Sequence, residues 1–157
     1  MSTNTSRMPL DEMPSAATKL DQIVAEFADL EPRERLELLL EFAEGLPPLP
    51  PRYQAEKDRG KHRVHECQTP VFLWVEVSEG VVQVFGDVAP EAPTVKGFVG
   101  ILADAFSGAS PKEVLSVQPD LLQRLGLVQA LGMMRMRGLQ AIQYTILDQV
   151  RKAAEVH

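Results

Sequence analysis

Cysteine is almost absent from this chain, since Cys67 is the only one among 157 residues. One thiol cannot close a disulfide within the chain, and an iron–sulfur cluster held by a single chain normally takes several thiolates. The sequence therefore offers one thiol for chemistry and is not expected to hold a cluster on its own.

Long apolar runs are also missing. The stretch Met1–Ser15 is mostly polar, contains two prolines and has no apolar core of signal-peptide length. No run elsewhere approaches the length needed to cross a membrane. We therefore expect no membrane partner and a soluble protein in a reducing, cytoplasmic setting.

The chain has fewer positively than negatively charged residues. The chain has 16 Lys and Arg against 22 Asp and Glu, which gives a net charge of −6 and a pI of about 5.1. A chain with this net charge lacks a strong positive electrostatic field that could neutralise phosphates, so nucleic-acid binding is disfavoured. The expected partner is a protein or a small molecule.

Length and composition predict one domain, because 157 residues with 45% hydrophobic content suffice for one core of ordinary size. Residues 1–14 have few apolar side chains, separated by proline and polar groups, and are predicted to be a disordered lead-in. Residues 15–157 are predicted to form the single domain.

The helical spacing of apolar residues, together with capping signals, predicts helices over most of the chain. In the second predicted helix, Leu36, Leu39, Leu40 and Ala43 are expected to face inward. The methionines at 133, 134 and 136 are interpreted as core or gap filling. The predicted helices run from the N-cap Ser15 to near Glu31, from Pro32 to Gly45, from about Thr94 to Gly108, from Ser110, from Pro119 to Leu125, and from about Met134 to Ala154.

Alternating apolar residues predict a β-hairpin, with strands at 71–77 and 81–85 around a turn at Glu79-Gly80. Gly86-Asp87 is predicted to close the hairpin, and residues 63–65 are a candidate short third strand. Residues 54–61 are predicted to be a mobile charged loop. The fold class is therefore α+β: a small antiparallel sheet, comprising the hairpin and the candidate third strand, packed against several α-helices.

Cys67 lies between this charged loop and the first strand. A free cysteine is most often a buried, inert side chain. However, the flanking residues are rich in His, Arg and Glu, and a reactive thiol needs partial exposure near positive charge. The residues alone leave both interpretations open.

A family resemblance covers the same segment. Arg63-Val64, two further residues, Cys67-Gln68-Thr69 and an apolar strand containing Trp74 resemble the SufE family of sulfur-acceptor proteins. This chain has Glu66 and Thr69 where the family usually has glycine and serine.

Two weaker matches lie further along the chain. Gly86-Asp87 is similar to a Gly-Asp pair of the family, and Arg135 followed by Gly138-Leu139 is similar to its C-terminal signature.

The resemblance implies a function for the thiol. Cys67 would accept sulfane sulfur, as a persulfide, from a SufS-type cysteine desulfurase, stimulate that enzyme, and pass the sulfur to an iron–sulfur scaffold complex. Such a chain is an accessory protein rather than an enzyme and uses no cofactor, since pyridoxal phosphate belongs to the desulfurase. Arg135 would stabilise the thiolate or persulfide, and Asp87 would hold Arg135 or the cysteine loop.

Two other functions use the same residues. His62, His65 and Cys67, with Glu66 among them, suit a small metal-binding or metal-sensing module, although no fourth ligand stands at a recognisable spacing. Alternatively, Cys67 serves an interaction protein as a thiol redox sensor.

Overall fold

A computed structural model describes residues 15–156, apart from the side chains of Met134 and Val156. This part of the chain contains α-helices, one short 3-10 helix at Pro51–Tyr53 and one two-stranded antiparallel sheet, which confirms the α+β prediction. The lead-in predicted to be disordered, residues 1–14, lies outside the described residues. The elements are α1 (Ala16–Ala28), α2 (Pro32–Gly45), α3 (Gln54–Asp58), β1 (Val71–Ser78), β2 (Val81–Val88), α4 (Pro93–Phe106), α5 (Pro111–Leu115), α6 (Leu121–Arg124), α7 (Val128–Leu131) and α8 (Met133–Val156).

Capping residues begin the helices where the sequence predicted. The Ser15 hydroxyl accepts a hydrogen bond from the Thr18 backbone N–H at 3.1 Å, so Ser15 is the N-cap of α1. Pro32 is the first residue of α2, where its missing N–H is not needed. Ser110 and Glu113 form the predicted capping box of α5.

The hairpin pairs Val71 with Val88 at one end and Ser78 with Val81 at the other. The two turn residues, Glu79 and Gly80, have φ angles of 54° and 80°, which is the left-handed geometry of a two-residue hairpin turn. The predicted closure at Gly86-Asp87 was wrong, because β2 continues to Val88. A Cβ at Gly86 would lie 2.7 Å from Val99 Cγ1, so this glycine permits close packing on α4. The candidate third strand is reduced to one bridge between Arg63 and Phe72.

The core lies between the inner face of the sheet and the helices. β2 packs on α4 and β1 packs on α8, while α4 also packs on α2. Glycines bring α2 and α4 together: a Cβ at Gly97 or Gly100 would lie 2.3 Å from the carbonyl oxygen of Leu39 or Phe42 respectively. A side chain at either position would therefore push the two helices apart.

The outer face of the sheet is covered by residues 51–62, which we call the strap. Tyr53 stacks on Trp74 with ring centroids 5.0 Å apart, and Glu56 accepts a hydrogen bond from the Trp74 indole at 2.8 Å. Arg52 and Tyr53 both contact the Glu76 carboxylate. The predicted mobile loop at 54–61 was therefore wrong: these residues form α3 and the turn after it, held by aromatic and polar contacts to β1.

Two predictions of buried side chains were also wrong. Leu40 is 40% exposed, because α2 buries a narrow stripe that includes Leu39 and Ala43. Met133 is 76% exposed at the start of α8. Met136 is partly buried and packs against the core as predicted. The side chain of Met134 is not among those that the structure describes.

Candidate functional site

The segment that carries the thiol, residues 63–70, is called the cysteine loop. It is tied to the sheet by backbone hydrogen bonds from Val64 N–H to Val71 C=O at 2.8 Å and from Ala89 N–H to Pro70 C=O at 3.1 Å. Inside the loop, Cys67 N–H donates to Val64 C=O at 3.2 Å. The sheet therefore anchors both ends of the loop, and the thiol lies between the anchors.

The thiol faces inward against α8. Cys67 is only 7% exposed, and its S–H donates a hydrogen bond to the Gly138 carbonyl oxygen at 3.4 Å. A Cβ at Gly138 would lie 3.2 Å from the Cys67 Sγ. Gly138 thus lets the backbone of α8 come into contact with the thiol, and this contact closes the site.

The pKa of the Cys67 thiol is raised from its ordinary 9.0 to about 11. Burial is the main cause, the neighbouring Glu66 carboxylate also raises this pKa, and the Arg63 guanidinium lowers it. At neutral pH the closed thiol is therefore protonated and a poor nucleophile.

Arg135, the predicted thiolate-stabilising residue, lies exposed in the first turn of α8. Its guanidinium donates a hydrogen bond to the Thr94 hydroxyl at 2.8 Å, at the start of α4. The nearby cation acting on the closed thiol is Arg63. The role of Arg135 in sulfur transfer stays a prediction, and in the closed state this residue links two helix N-termini.

Asp87, the predicted support residue, lies in β2 and forms an ion pair with Lys57 of the strap. The Lys57 ammonium also lies 6.0 Å from the centroid of the Phe72 ring. Asp87 thus holds the strap to the sheet, and its predicted support of Arg135 or the cysteine loop stays a prediction.

The two histidines of the metal-binding hypothesis, His62 and His65, have different surroundings. His62 stacks on Trp74 with ring centroids 5.2 Å apart, and its Nε2 lies 3.7 Å from a Glu56 carboxylate oxygen. His65 is exposed. Across residues 15–156, no three or more His, Cys, Asp or Glu side chains are grouped so as to hold a metal ion.

An open groove of about 560 Å³ runs beside the cysteine loop along one face of α8. Glu66 contributes one wall, and Tyr144, 55% exposed, contributes an aromatic surface. The other lining residues are Arg137, Gln140, Ala141, Thr145 and Asp148. The groove offers a mixed polar and apolar surface next to the closed thiol.

Sequence reasoning missed two residues of this site. Arg63 was noted only as part of the motif, although its charge acts on the thiol. The contact between Gly138 and Cys67 joins residues 71 positions apart, so no local pattern reveals it. Two signals in the sequence pointed to Gly138: its place in the match to the C-terminal signature, and its position as a glycine inside a long predicted helix.

In the part of the chain that the structure describes, no helix combines the length and the hydropathy needed to cross a membrane.

The chain is similar to several known proteins. The chain is 36% identical over 140 residues to an uncharacterized SufE-like protein of Mycobacterium tuberculosis, covering 88% of this chain and 96% of that protein. A solution structure of a hypothetical protein from Thermus thermophilus matches with a TM-score of 0.77 and 39% identity, over 91% of this chain and 99% of that one. A chloroplastic quinolinate synthase of Nicotiana tabacum is 31% identical over 108 residues, which are 68% of this chain but only 14% of that enzyme.

A family model described as SufE, the Fe-S metabolism associated domain, matches residues 21–150. That range contains the cysteine loop, the sheet and most of α8. The chain belongs to the SufE family, and its family context is iron–sulfur metabolism.

Proposed function

We propose that this chain accepts sulfane sulfur on Cys67 from a SufS-type cysteine desulfurase and carries it, as a persulfide, to iron–sulfur cluster assembly. The observation that carries the proposal is the position of Cys67. The sole thiol of a SufE-family chain lies in an anchored loop, closed against α8 and beside an open groove.

The transfer step is a thiol exchange. The Cys67 thiolate attacks the terminal sulfur of the donor persulfide, and a new S–S bond forms to Cys67. The S–S bond of the donor breaks, and the donor cysteine leaves as a thiolate. No oxidant or reductant is consumed, because one sulfur–sulfur bond replaces another.

The closed site has to open before this step. With a pKa of about 11, about one Cys67 in ten thousand is ionised at pH 7. Moving the sulfur away from Gly138 into water removes the burial that raises the pKa. The anchors at Val64 and Pro70 keep the ends of the loop on the sheet while its middle turns outward.

The groove beside Glu66 supports the proposal that binding of the donor opens the cysteine loop. A donor docked there would meet the loop at the same time as the exposed ring of Tyr144. A donor that binds the open loop more tightly than the closed loop would shift the population towards the open, reactive state. Between transfers, closure would shield the thiol or persulfide from water and oxidants.

The proposed role is that of an accessory protein in a reducing, cytoplasmic setting. By taking the sulfur, the chain would free the desulfurase cysteine for another turnover and so stimulate that enzyme. Pyridoxal phosphate would stay with the desulfurase. The final acceptor would be an iron–sulfur scaffold complex.

Stimulation of the desulfurase tests this role. A pyridoxal phosphate-dependent cysteine desulfurase is assayed anaerobically with cysteine, a metal chelator and either the wild-type chain or Cys67→Ser. The wild-type chain should raise turnover, and Cys67→Ser should not. Thermal melting of both chains checks that the variant folds. Equal stimulation by a folded Cys67→Ser would contradict a covalent carrier.

A further inference from the structure

The chain just before the thiol pairs with the start of β1. The N–H of Leu73 donates to the His62 carbonyl oxygen at 3.0 Å. The N–H of Val64 donates to the Val71 carbonyl oxygen at 2.8 Å. These bonds join antiparallel segments and close a small hairpin, whose loop carries Cys67. The way in which residue 62 is held therefore affects the direction in which the cysteine loop leaves the sheet.

His62 is the residue at which the chain turns from the strap into this hairpin. Its φ angle is 66°, in the left-handed region that residues other than glycine seldom adopt. Residues held in this region are concentrated at functional sites, where the surrounding contacts maintain a backbone conformation that is unfavourable by itself. The contacts that hold His62 therefore also hold the base of the cysteine loop.

The side chain of His62 is held against the sheet. Its ring stacks on Trp74, with ring centroids 5.2 Å apart and ring planes inclined by 27°. One carboxylate oxygen of Glu56 accepts a hydrogen bond from the Trp74 indole N–H at 2.8 Å and lies 3.7 Å from His62 Nε2. The backbone carbonyl oxygen of Glu56 accepts the N–H of Lys61 at 2.9 Å. Glu56 thus contacts the aromatic pair and also the turn that leads into His62.

Stacking is the stronger of the two side-chain contacts of His62. The side chains of His62 and Glu56 are 37% and 40% exposed, so water screens the attraction between them. Trp74, in contrast, is only 2% exposed, and an aromatic ring packed against it excludes water from the contact. We therefore expect the ring of His62, more than its charge, to hold the base of the loop.

We propose that His62 is a positioning residue for sulfur transfer: its ring, stacked on Trp74, fixes the base of the hairpin so that the cysteine loop turns outward in one direction. This role rests on the proposed function, because it concerns the orientation in which Cys67 meets the donor persulfide. His62 acts through the backbone pairs that residues 62–64 make with β1. A nucleophile held in a narrow range of orientations reacts faster with a bound donor.

Loss of the ring should therefore change two reactions of Cys67 in opposite directions. A loosened base lets a small neutral reagent reach the thiol more often, so alkylation becomes faster. The same loosening presents the thiol to a docked donor in more orientations, so kcat for sulfur transfer falls. The KM of the desulfurase for this chain should stay near the wild-type value, because the docking surface is unchanged.

Two variants of the full chain separate the ring of His62 from its backbone conformation. His62→Asn removes the ring but keeps a residue that tolerates left-handed φ angles, whereas His62→Phe keeps a ring that can stack on Trp74. His62→Asn should be alkylated about fivefold faster and should show a kcat about fivefold lower, as expected for the loss of one aromatic pair. His62→Phe should stay near the wild-type values in both assays.

Tyr53 provides the matched control. It also stacks on Trp74, with ring centroids 5.0 Å apart, but it lies near the other end of the strap. Tyr53→Leu should lower the melting temperature and leave alkylation and kcat per folded molecule unchanged. Melting curves of all the variants give the folded fraction used in each rate.

Several outcomes would overturn the proposal. Wild-type rates for His62→Asn would show that the ring does not position the loop. Equal changes in His62→Asn and His62→Phe would exclude stacking as the cause, and equal changes in Tyr53→Leu would assign the effect to packing of the whole strap. If the wild-type chain accepted no sulfur, the proposed function would fail, and the alkylation rates would still decide whether His62 holds the loop.

Discussion

The sulfur of Cys67 lies 3.4 Å from the backbone carbonyl oxygen of Gly138, so the thiol of the cysteine loop rests directly on the backbone of α8. This contact is what closes the site. It exists because residue 138 has no side chain, since a Cβ there would lie 3.2 Å from the sulfur and 3.5 Å from the Cys67 Cα. The absence of a side chain at residue 138 therefore permits the close contact between the thiol and α8.

Gly138→Ala should open the loop. The added methyl group crowds the sulfur and displaces the loop outward, so the thiol becomes more exposed and its pKa falls. Alkylation by a neutral reagent near pH 7 should run several-fold faster. Stability should change little, because alanine is favoured over glycine in a helix by about 1 kcal/mol and this offsets the crowding.

Gly45→Ala provides the matched control. A Cβ at Gly45 meets nothing within 4 Å, so this change alters a helical glycine without touching the thiol. Its alkylation rate should equal that of the wild-type chain. Slower or unchanged alkylation of Gly138→Ala would show that the close approach of α8 does not keep the loop shut.

Glu66→Gln should make Cys67 more reactive. The Glu66 carboxylate raises the pKa of the adjacent thiol, and glutamine keeps the size of the side chain without its charge. Alkylation rates measured against pH should be higher than wild type near neutrality and should converge at alkaline pH, where both thiols are ionised.

Glu37→Gln, on the exposed surface of α2, removes an equal charge away from the cysteine loop and should leave the rate unchanged. If Glu66→Gln gave an unchanged or slower rate across the profile, Glu66 would be an anchor of the loop rather than a source of electrostatic repulsion.

Arg135→Ala should lower sulfur transfer more than stability. Arg135 is exposed and makes one hydrogen bond to Thr94, and such surface contacts contribute about 0–1 kcal/mol. Transfer rate per folded molecule and thermal melting are measured together. A large loss of stability with unchanged transfer would assign Arg135 a purely structural role.

Thr94→Val separates the charge of Arg135 from its hydrogen bond. This variant keeps the guanidinium but removes its hydroxyl partner at the start of α4. Transfer should stay near the wild-type rate. A loss equal to that of Arg135→Ala would mean that Arg135 acts by linking the helices.

The buried thiol should make stability depend on alkaline pH. Its pKa is raised from 9.0 to about 11 in the folded chain, so the unfolded chain loses this proton first as pH rises. The resulting contribution to the free energy of unfolding is fully present below pH 9 and is lost between about pH 9 and 11.

Urea unfolding of the wild-type chain and Cys67→Ser across that range measures this contribution. Tyr53, whose pKa burial raises to about 12, is common to both chains and cancels in the comparison. The stability of the wild-type chain relative to Cys67→Ser should fall as pH rises from 9 to 11. A constant difference would show that Cys67 ionises equally easily in the folded and unfolded chains.

Local signals were enough to predict most elements of the fold. Pro32, the Ser110 capping box and the Glu79-Gly80 turn each act through neighbouring backbone, so their effects can be identified from a few residues. The strap could not be predicted in this way. Its contacts, such as Tyr53 with Trp74 and Lys57 with Asp87, join distant residues and leave no periodic pattern.

The site was predictable only in part for the same reason. Cys67 could be singled out because the chain has no other thiol. Its burial depends on α8 packing against the loop, and the contribution of Arg63 depends on how the loop folds. These are tertiary relationships that the motif does not encode.

The most direct test of the account is the intact mass of the chain after anaerobic incubation with a cysteine desulfurase, cysteine and a metal chelator. The wild-type chain should gain the mass of one sulfur atom, which a thiol reductant removes, and Cys67→Ser should gain none. A wild-type chain that stays at its original mass while it stimulates the desulfurase, or a Cys67→Ser chain that gains sulfur, would contradict the claim that Cys67 carries the sulfur.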